Sequence, residues 1–249
     1  MPSFIQKRNR GADMNTPITG NNVIIGKDVV IGKNVTIGHN VIIYDGTMIG
    51  DNVLIQDNAV IGKYPTRAKN SILPEVTKLP PAVIGAGCTI GTSVIIYADA
   101  KLADDVFVAD LATIRERVTI GEKTIVGRGV SVENDCKIGS KCKLETNCYI
   151  TAYSELEDFV FIAPCVVTTN DNFMARSKER YEQFKGVTIK KGGRVGANST
   201  ILPGKVIEED GAVAAASVVT KDVKQEELVV GSPARKLRSV PENQLLRNQ

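Results

Sequence analysis

The sequence is short of the residues that build metal sites, membrane spans and secretion signals. Its 249 residues include one histidine, His39, so a zinc site with three histidine ligands is excluded. No stretch of eighteen residues is apolar throughout, and residues 1–16 lack the apolar core of a signal peptide. The net charge of +3 is small and gives no sign of a nucleic-acid partner. We therefore expect a cytoplasmic protein without a metal ion and without a nucleic-acid or membrane partner.

Aliphatic residues recur at every sixth position along most of the chain. The runs extend from Ile25 to Ile61, from Ile84 to Ile162 and from Ile189 to Val219, and only Thr168 breaks the rule. A small or β-branched residue usually stands two positions before each aliphatic one, so both side chains lie on the same side of a short strand. Gly, Asn or Asp often follow, and these residues tolerate the backbone of a corner.

This repeat predicts an all-β fold. Three strands and three corners form a triangular coil of eighteen residues, and stacked coils form a parallel β-helix. We expect an N-terminal head over residues 1–19, with residues 1–13 disordered if Met14 is the natural start. The β-helix should cover residues 20–222, and residues 223–249 should form a partly helical tail. The hexads stop at residues 62–83 and 169–188, which we expect to leave the prism as loops.

Four of the five cysteines should be packing residues. They occupy the small inward position of their hexads, where a reduced thiol behaves as a small hydrophobic group, and they are Cys88, Cys136, Cys142 and Cys148. Cys165 falls at a corner and is expected to be more exposed. A metal cluster is therefore not expected from the cysteines.

The hexads resemble those of the left-handed β-helix, or hexapeptide-repeat, acyltransferases over nearly all of residues 20–222. The left hand of the helix is implied by this resemblance, as is a homotrimer with active sites between subunits. The segment from Val230 to Arg235 is similar to the closing turn of the coenzyme A-dependent members.

The resemblance implies acetyl-CoA, or another short acyl-CoA, as co-substrate. Cations near the closing turn would meet its phosphates, and small residues would let its pantetheine arm approach the backbone. Each cation alone also fits a solvated surface charge. The expected coenzyme A residues are Lys190, Lys191, Arg194, Ala215, Lys221 and Arg235.

Residues 109–172 resemble the sugar-nucleotide N-acyltransferases, and the chain most resembles enzymes acting on dTDP-3-amino-3,6-dideoxyhexoses. That resemblance implies acylation of the amine of a nucleotide-linked deoxy-aminosugar. Three alternatives stay open: a UDP-aminosugar N-acetyltransferase, an O-acyltransferase on a small acceptor, and a binding or scaffold β-helix without catalysis. Nucleotidyl transfer is not expected, because the Gly-rich nucleotide domain that it requires is missing.

The scarcity of histidine shapes the expected chemistry. His39 lies in an early coil and fits a corner residue better than the general base that many related enzymes use. We therefore expect the amine to bind unprotonated, oriented by Asn147, Glu133 and Glu145, and the departing sulfur to take the proton. Asn147 also fits a corner residue that is present for backbone reasons.

Positions eighteen residues apart should stack along one edge of the prism. Arg115, Glu133 and Thr151 have this spacing, so Glu133 either contacts the substrate or simply pairs with Arg115. Thr151 and Arg115 are expected to line the substrate site.

The two loops are the segments most expected to carry function, because loops on a rigid scaffold often do. In the first, Tyr64 and Arg67 suit a clamp for an anionic, ring-bearing ligand, although a solvated excursion fits equally well. The second begins with Asn170 and Asp171, which we expect to contact substrate, and it is expected to reach a neighbouring subunit.

Overall fold

The protein is a triangular parallel β-helix in a computed structural model that describes residues 17–71 and 78–249. Three parallel sheets form the sides of the prism, and the chain visits each sheet once per coil. Strands eighteen residues apart pair in register, as Thr113 and Ile114 do with Ser131 and Val132. The parallel, all-β architecture expected from the hexads is confirmed.

The strands are mostly two residues long, and we number the three faces in the order in which the chain reaches them. The first face contains Ile18–Thr19, Thr36–Ile37, Leu54–Ile55, Thr89–Ile90, Phe107–Val108, Ile125–Val126, Lys143–Leu144, Phe161–Ile162, Arg194–Val195, Ala212–Val213, Glu227–Gly231 and Ala234–Ser239. The second face contains Ile24–Ile25, Ile42–Ile43, Val60–Lys63, Ile95–Tyr97, Thr113–Ile114, Ser131–Val132, Tyr149–Ile150, Val167–Thr168, Thr200–Ile201 and Val218–Val219. The third face contains Val30–Ile31, Met48–Ile49, Val83–Ile84, Lys101–Leu102, Thr119–Ile120, Lys137–Ile138, Glu155–Leu156, Thr188–Ile189 and Val206–Ile207.

The core is a column of the predicted inward side chains. Ile96, Ile114 and Ile150 are fully buried, and their burial is the main favourable term that offsets the entropy lost on ordering the chain. The corners turn through residues with positive φ, such as Asn34 at 56° and Asp105 at 58°. Asn and Asp tolerate this conformation better than other side chains.

The prism extends slightly beyond the expected limits. Ile18–Thr19 already pairs with Thr36–Ile37, two residues before the predicted start, and the proposed disorder of residues 1–13 lies outside the described residues. At the other end Leu228 pairs with Ala212, so the coil continues into the tail. The tail then folds back as an antiparallel strand at Ala234–Ser239, which the sequence reading did not predict. Its helical content is the two 3₁₀ turns Glu242–Gln244 and Leu246–Asn248.

Both loops leave the prism at the same edge. This edge joins the second and third faces, and we call it the loop edge. The first loop follows Val60–Lys63 and the second follows Val167–Thr168; the second contains the α-helix Arg180–Gln183. Between them the second face has four strands, which begin at Ile95, Thr113, Ser131 and Tyr149.

Thr168 departs from the hexad rule at the point where the second loop begins. Its Oγ1 accepts a hydrogen bond from the N–H of Thr151 at 2.8 Å and donates one to the carbonyl of Tyr149 at 3.1 Å. Only Tyr149 and Val167 form a ladder pair between these two strands. The hydroxyl therefore satisfies a buried backbone donor that an aliphatic side chain would leave without a partner.

The cysteines lie as expected. Cys88, Cys136, Cys142 and Cys148 are buried and Cys165 is exposed. Burial raises the pKa of the Cys136 and Cys148 thiols to about 12. Over residues 17–71 and 78–249, no helix has the length and hydropathy needed to cross a bilayer.

Candidate functional site

A cavity of about 330 Å³ opens at the loop edge, between the two loops. The prism contributes its floor, each loop contributes a wall, and three of the lining side chains are aromatic. The lining residues are Asn70 and Ser71 from the first loop, Glu133, Asn134, Tyr149, Thr151, Ala152 and Tyr153 from the prism, and Asn170, Arg180 and Phe184 from the second loop. Its volume is at the lower end of the range of about 300–1,000 Å³ that is typical of small-molecule sites.

A charged ladder runs along the second face toward the cavity. Tyr97, Arg115, Glu133 and Thr151 occupy equivalent positions in successive coils. The Arg115 guanidinium carbon lies 4.8 Å from the centroid of the Tyr97 ring, and its Nη1 donates to Glu133 Oε2 at 3.4 Å. The predicted stacking of Arg115, Glu133 and Thr151 is confirmed.

The first loop is held to this ladder by a buried ion pair. Arg67 Nη2 donates to Glu116 Oε1 at 2.9 Å, and the Glu116 side chain is 0% exposed. Arg115 Nε donates to the other carboxylate oxygen of Glu116 at 2.9 Å. Burial favours the neutral acid, but the hydrogen bond and charge of Arg115, together with the charge of Arg67, outweigh it and lower the pKa of Glu116. Glu116 therefore carries a full negative charge that anchors the loop.

Glu133 differs from Glu116 although both contact Arg115. Burial raises the pKa of Glu133, the neighbouring Glu116 charge adds to the rise, and Arg115 offsets only part of it. The adjacent Tyr149 hydroxyl also has a raised pKa, chiefly because of burial and secondly because of the Glu133 charge. A weakly compensated carboxylate in a cavity can accept a proton or a hydrogen bond from a bound amine.

The second loop contributes a cation to the opposite wall. Arg180 Nη1 lies 3.5 Å from Asp171 Oδ2, and the Arg180 side chain is 15% exposed. Its guanidinium carbon lies 5.3 Å from the Tyr181 ring centroid and 5.5 Å from that of Phe184. Asp171 also accepts hydrogen bonds from the N–H groups of Phe173 and Ala175. Asp171 therefore shapes the loop, while Asn170 reaches the cavity.

Several predicted residues lie away from the cavity. Asn147 is exposed at the edge between the first and second faces, with φ of 58°, and Glu145 precedes it at the same edge. Tyr64 is 43% exposed and donates from its hydroxyl to the carbonyl of Leu79 at 3.2 Å, within the first loop. Within one chain, Asn147 and Glu145 therefore lie at a different edge from Glu133, and their expected contact with the amine stays a prediction for a site between subunits.

The predicted coenzyme A residues lie on different parts of the molecule. Lys190 and Lys191 follow the third face, where Lys190 Nζ pairs with Glu157 at 2.9 Å. Ala215 comes after the first-face strand Ala212–Val213. Lys221 comes after the second-face strand Val218–Val219 and so lies at the loop edge, on the C-terminal side of the second loop. Arg194 Nη1 contacts Gln244 of the tail at 3.4 Å, and Arg235 lies in the final strand. A single chain therefore brings no more than two of these six residues together on one edge.

His39 is a corner residue. Its Nδ1 accepts the N–H of Asn21 at 2.9 Å, at the edge between the first and second faces. The cavity lies at another edge and is lined by no histidine among the described residues. In the same part of the chain, no group of three His, Cys, Asp or Glu residues is arranged to hold a metal ion.

Sequence reasoning missed Glu116, Tyr149 and Arg180. Glu116 lies one residue from Arg115 and Tyr149 lies two residues from Thr151, and both follow from the same eighteen-residue spacing. Counting eighteen residues per coil also indicates that both loops leave the prism at one edge. When the loop residues are omitted from the count, Ile61 and Thr168 occupy the same position in their coils. Arg180 lies in a loop without hexads, so no comparable signal located it.

Comparison with protein families agrees with the repeat. The model for the bacterial transferase hexapeptide (six repeats) matches residues 16–49 and 28–63, and the model for the GMPPB C-terminal domain matches residues 72–180. The chain is therefore similar to the hexapeptide-repeat transferases over residues 16–63, and its coils repeat the same hexad beyond them. A left-handed β-helix of hexapeptide repeats is the fold expected from the sequence, and that expectation is confirmed.

One curated relative of this hexapeptide-repeat protein is the dTDP-3-amino-3,6-dideoxy-alpha-D-galactopyranose 3-N-acetyltransferase of Aneurinibacillus thermoaerophilus. The two are 46% identical over 54 residues, which is 22% of this chain and 28% of the relative. The match thus spans little more than a quarter of the relative's length.

Two solved structures share the fold over most of the chain. LpxA from Acinetobacter baumannii has a TM-score of 0.56 at 18% identity, covering 88% of this chain and 72% of that one. The Arabidopsis UDP-N-acetylglucosamine acyltransferase has a TM-score of 0.50 at 18% identity, covering 93% and 75%. At this identity the likeness concerns the fold alone.

Proposed function

We propose that this hexapeptide-repeat protein is a coenzyme A-dependent N-acyltransferase that acylates the amine of a nucleotide-linked deoxy-aminosugar. The acyl group is most simply acetyl, and the acceptor class is the dTDP-3-amino-3,6-dideoxyhexoses. The observation that carries the proposal is Glu133, a cavity carboxylate with a raised pKa and one long contact to Arg115. The 46% identical segment shared with a dTDP-aminosugar acetyltransferase supports the choice of acceptor.

Glu133 would act on the amine of the acceptor. An ammonium group cannot attack a thioester, so a neighbouring carboxylate that takes up one proton activates it, and such assistance gives about 10²- to 10⁴-fold. The nitrogen then bonds to the thioester carbonyl carbon, and the carbon–sulfur bond breaks. The second amine proton passes to the departing thiolate, so the products are an amide and a free thiol.

Tyr149 and Thr151 would position the sugar beside Glu133. Both line the cavity, and an aromatic ring beside a hydroxyl provides one apolar and one polar surface for a deoxysugar. Holding the amine against the thioester supplies part of the rate without any proton transfer. In this scheme Asn147 and the predicted coenzyme A residues remain candidates for a site shared between subunits of a homotrimer.

Thiol release from acetyl-CoA on a panel of dTDP- and UDP-aminosugars tests the reaction. We expect release that depends on one aminosugar, and a Glu133→Gln variant that lowers kcat by about 10²- to 10⁴-fold with little change in KM. The matched control is Glu122→Gln, which removes one exposed carboxylate at a different edge. 3-Hydroxybutyryl-CoA is the second donor.

Two results would contradict the proposal. Absence of release with every acceptor, together with absence of coenzyme A binding, would favour a binding or scaffold protein. Release that proceeds equally in the wild type and in Glu133→Gln would keep the reaction but remove Glu133 from it.

A further inference from the structure

The lining of the cavity carries two opposite charges. Glu133 lines it from the prism and Arg180 lines it from the second loop. The first loop adds Asn70 and the second adds Asn170. A ligand that contacts both charged residues has a positive or hydrogen-bond-donating group for Glu133 and an anionic group for Arg180.

Arg180 has unused capacity to bind an anion. Its Nε is buried and has no hydrogen-bond partner among the described residues. Its ion pair with Asp171 is long at 3.5 Å, and the Asp171 oxygens already accept two backbone N–H groups. A buried donor without an acceptor is costly, so an anion that accepts from Arg180 would relieve a cost already present in the protein.

The aromatic neighbours fix the direction of the guanidinium. Tyr181 and Phe184 lie within about 5.5 Å of the Arg180 guanidinium carbon, and such contacts hold the planar group while leaving its edges available for hydrogen bonds. Arginine in this setting recognises phosphate or carboxylate oxygens through paired N–H groups.

We propose that Arg180, with Asn170 and Asn70, forms an anion subsite that binds the phosphate nearest the sugar of the acceptor. The inference rests on the proposed function and deepens it, because it fixes the orientation of the acceptor: the amine faces Glu133 and the phosphate faces Arg180. A cavity of about 330 Å³ suits the sugar and this phosphate, and leaves the nucleoside outside.

Equilibrium titration with dTDP, UDP and inorganic pyrophosphate tests the subsite without any turnover. Arg180→Gln should weaken the binding of these probes by about tenfold to a hundredfold, the worth of a charge-assisted hydrogen bond. Arg180→Lys should retain part of the affinity. The matched control, Arg176→Gln, removes an exposed cation from the same loop and should bind as the wild type does. Wild-type affinity should fall with added salt more steeply than that of Arg180→Gln.

A second ligand distinguishes phosphate from the other anion that arginine recognises. If glucuronate binds in an Arg180-dependent way and the phosphates do not, the subsite recognises a sugar carboxylate and the phosphate assignment is wrong. Equal affinity of the wild type and Arg180→Gln for every probe would overturn the subsite altogether. Circular dichroism and thermal unfolding of each variant ensure that lost binding is not lost folding.

The outcomes keep this inference separate from the proposed reaction. Glu133→Gln should bind the phosphate probes as tightly as the wild type, because its carboxylate contacts Arg115 on the prism and the proposed subsite consists of loop residues. Arg180-dependent binding without thiol release from any acceptor would support the subsite and reject the N-acyltransferase. Thiol release whose KM is unchanged in Arg180→Gln would support the reaction and reject the subsite.

Discussion

The Arg67–Glu116 ion pair holds the first loop against the prism, and the fraction of molecules in which the loop is undocked can be measured. The pair has a separation of 2.9 Å, with the Arg67 side chain 13% exposed and that of Glu116 0% exposed. A hydrogen bond to a charged group is worth about 1.5–3 kcal/mol, and each 1.4 kcal/mol is tenfold in an equilibrium. Arg67→Gln should therefore raise the undocked fraction of the loop by about tenfold to a hundredfold, while Glu116 keeps its contact with Arg115.

Limited proteolysis with Lys-C measures this fraction, because the enzyme cuts after lysine and is blind to the substitution itself. Lys69 lies in the loop, two residues after Arg67. When reclosing is fast, the rate of cleavage follows the population of the open form, so cleavage after Lys69 should accelerate by the same factor. The control is Arg128→Gln, an exposed arginine at another edge, which should be cut as slowly as the wild type.

Equal cleavage rates in the wild type and Arg67→Gln would refute the role of the ion pair. Cleavage that spreads to lysines of the prism would instead report global unfolding. The sign of the pH dependence follows from Glu116, whose pKa is held below its usual 4.5. The contribution of the ionised Glu116 carboxylate to loop docking is complete when the pH is above its usual pKa of 4.5. It is lost only as the pH falls through the lowered pKa of the docked state.

Three further predictions concern titratable groups. The kcat/KM of acyl transfer should rise with pH through a pKa above the usual 4.5 of glutamate, because burial raises the pKa of Glu133. Glu133→Gln should remove this rise from the pH profile. A wild-type profile without the rise would count against the role of Glu133. Because the pKa of Glu133 is raised in the folded protein, its charged carboxylate lowers the free energy of unfolding at pH values above that pKa. At pH 7 the unfolding temperature of Glu133→Gln should therefore be equal to or higher than that of the wild type. With a thiol reagent the native protein should react quickly at Cys165 alone, and rapid labelling of any buried thiol would contradict the packing. The buried thiols are Cys88, Cys136, Cys142 and Cys148.

The fold could be predicted from the sequence because each coil repeats the same physical requirement. An aliphatic side chain at every sixth position must be buried, and strands with an eighteen-residue offset then pair in only one register. The ladder of Arg115, Glu133 and Thr151 followed from the same count, and so could have Glu116 and Tyr149. Even the exception at Thr168 has a local cause, since its hydroxyl replaces a backbone partner where the loop departs.

The remainder of the site could not be predicted, because the loops have no repeat. Arg67 lies 49 residues from Glu116 in the chain, and nothing in the spacing indicates that the loop folds back over two coils. Arg180 belongs to a helix of four residues in the second loop, where no hexad gives its position relative to the prism. Asn147 lies at a corner, as its position in the hexad predicts, and that corner is at a different edge of the same chain from Glu133, so its role in a site between subunits stays a prediction.

The common edge of the two loops explains how a uniform prism can form a specific site. A coil can be added or removed only in units of eighteen residues if both loops are to share one edge, because six or twelve residues would keep the aliphatic side chains inward but move the second loop to another edge. Each such unit separates the loops by one more strand spacing, about 4.8 Å, and leaves the phase unchanged. The four strands between the loops therefore set the distance between the points where the two loops leave the prism. The charged ladder lies in or directly after the same four strands, so the coils that set the spacing of the loops also supply the carboxylate of Glu133.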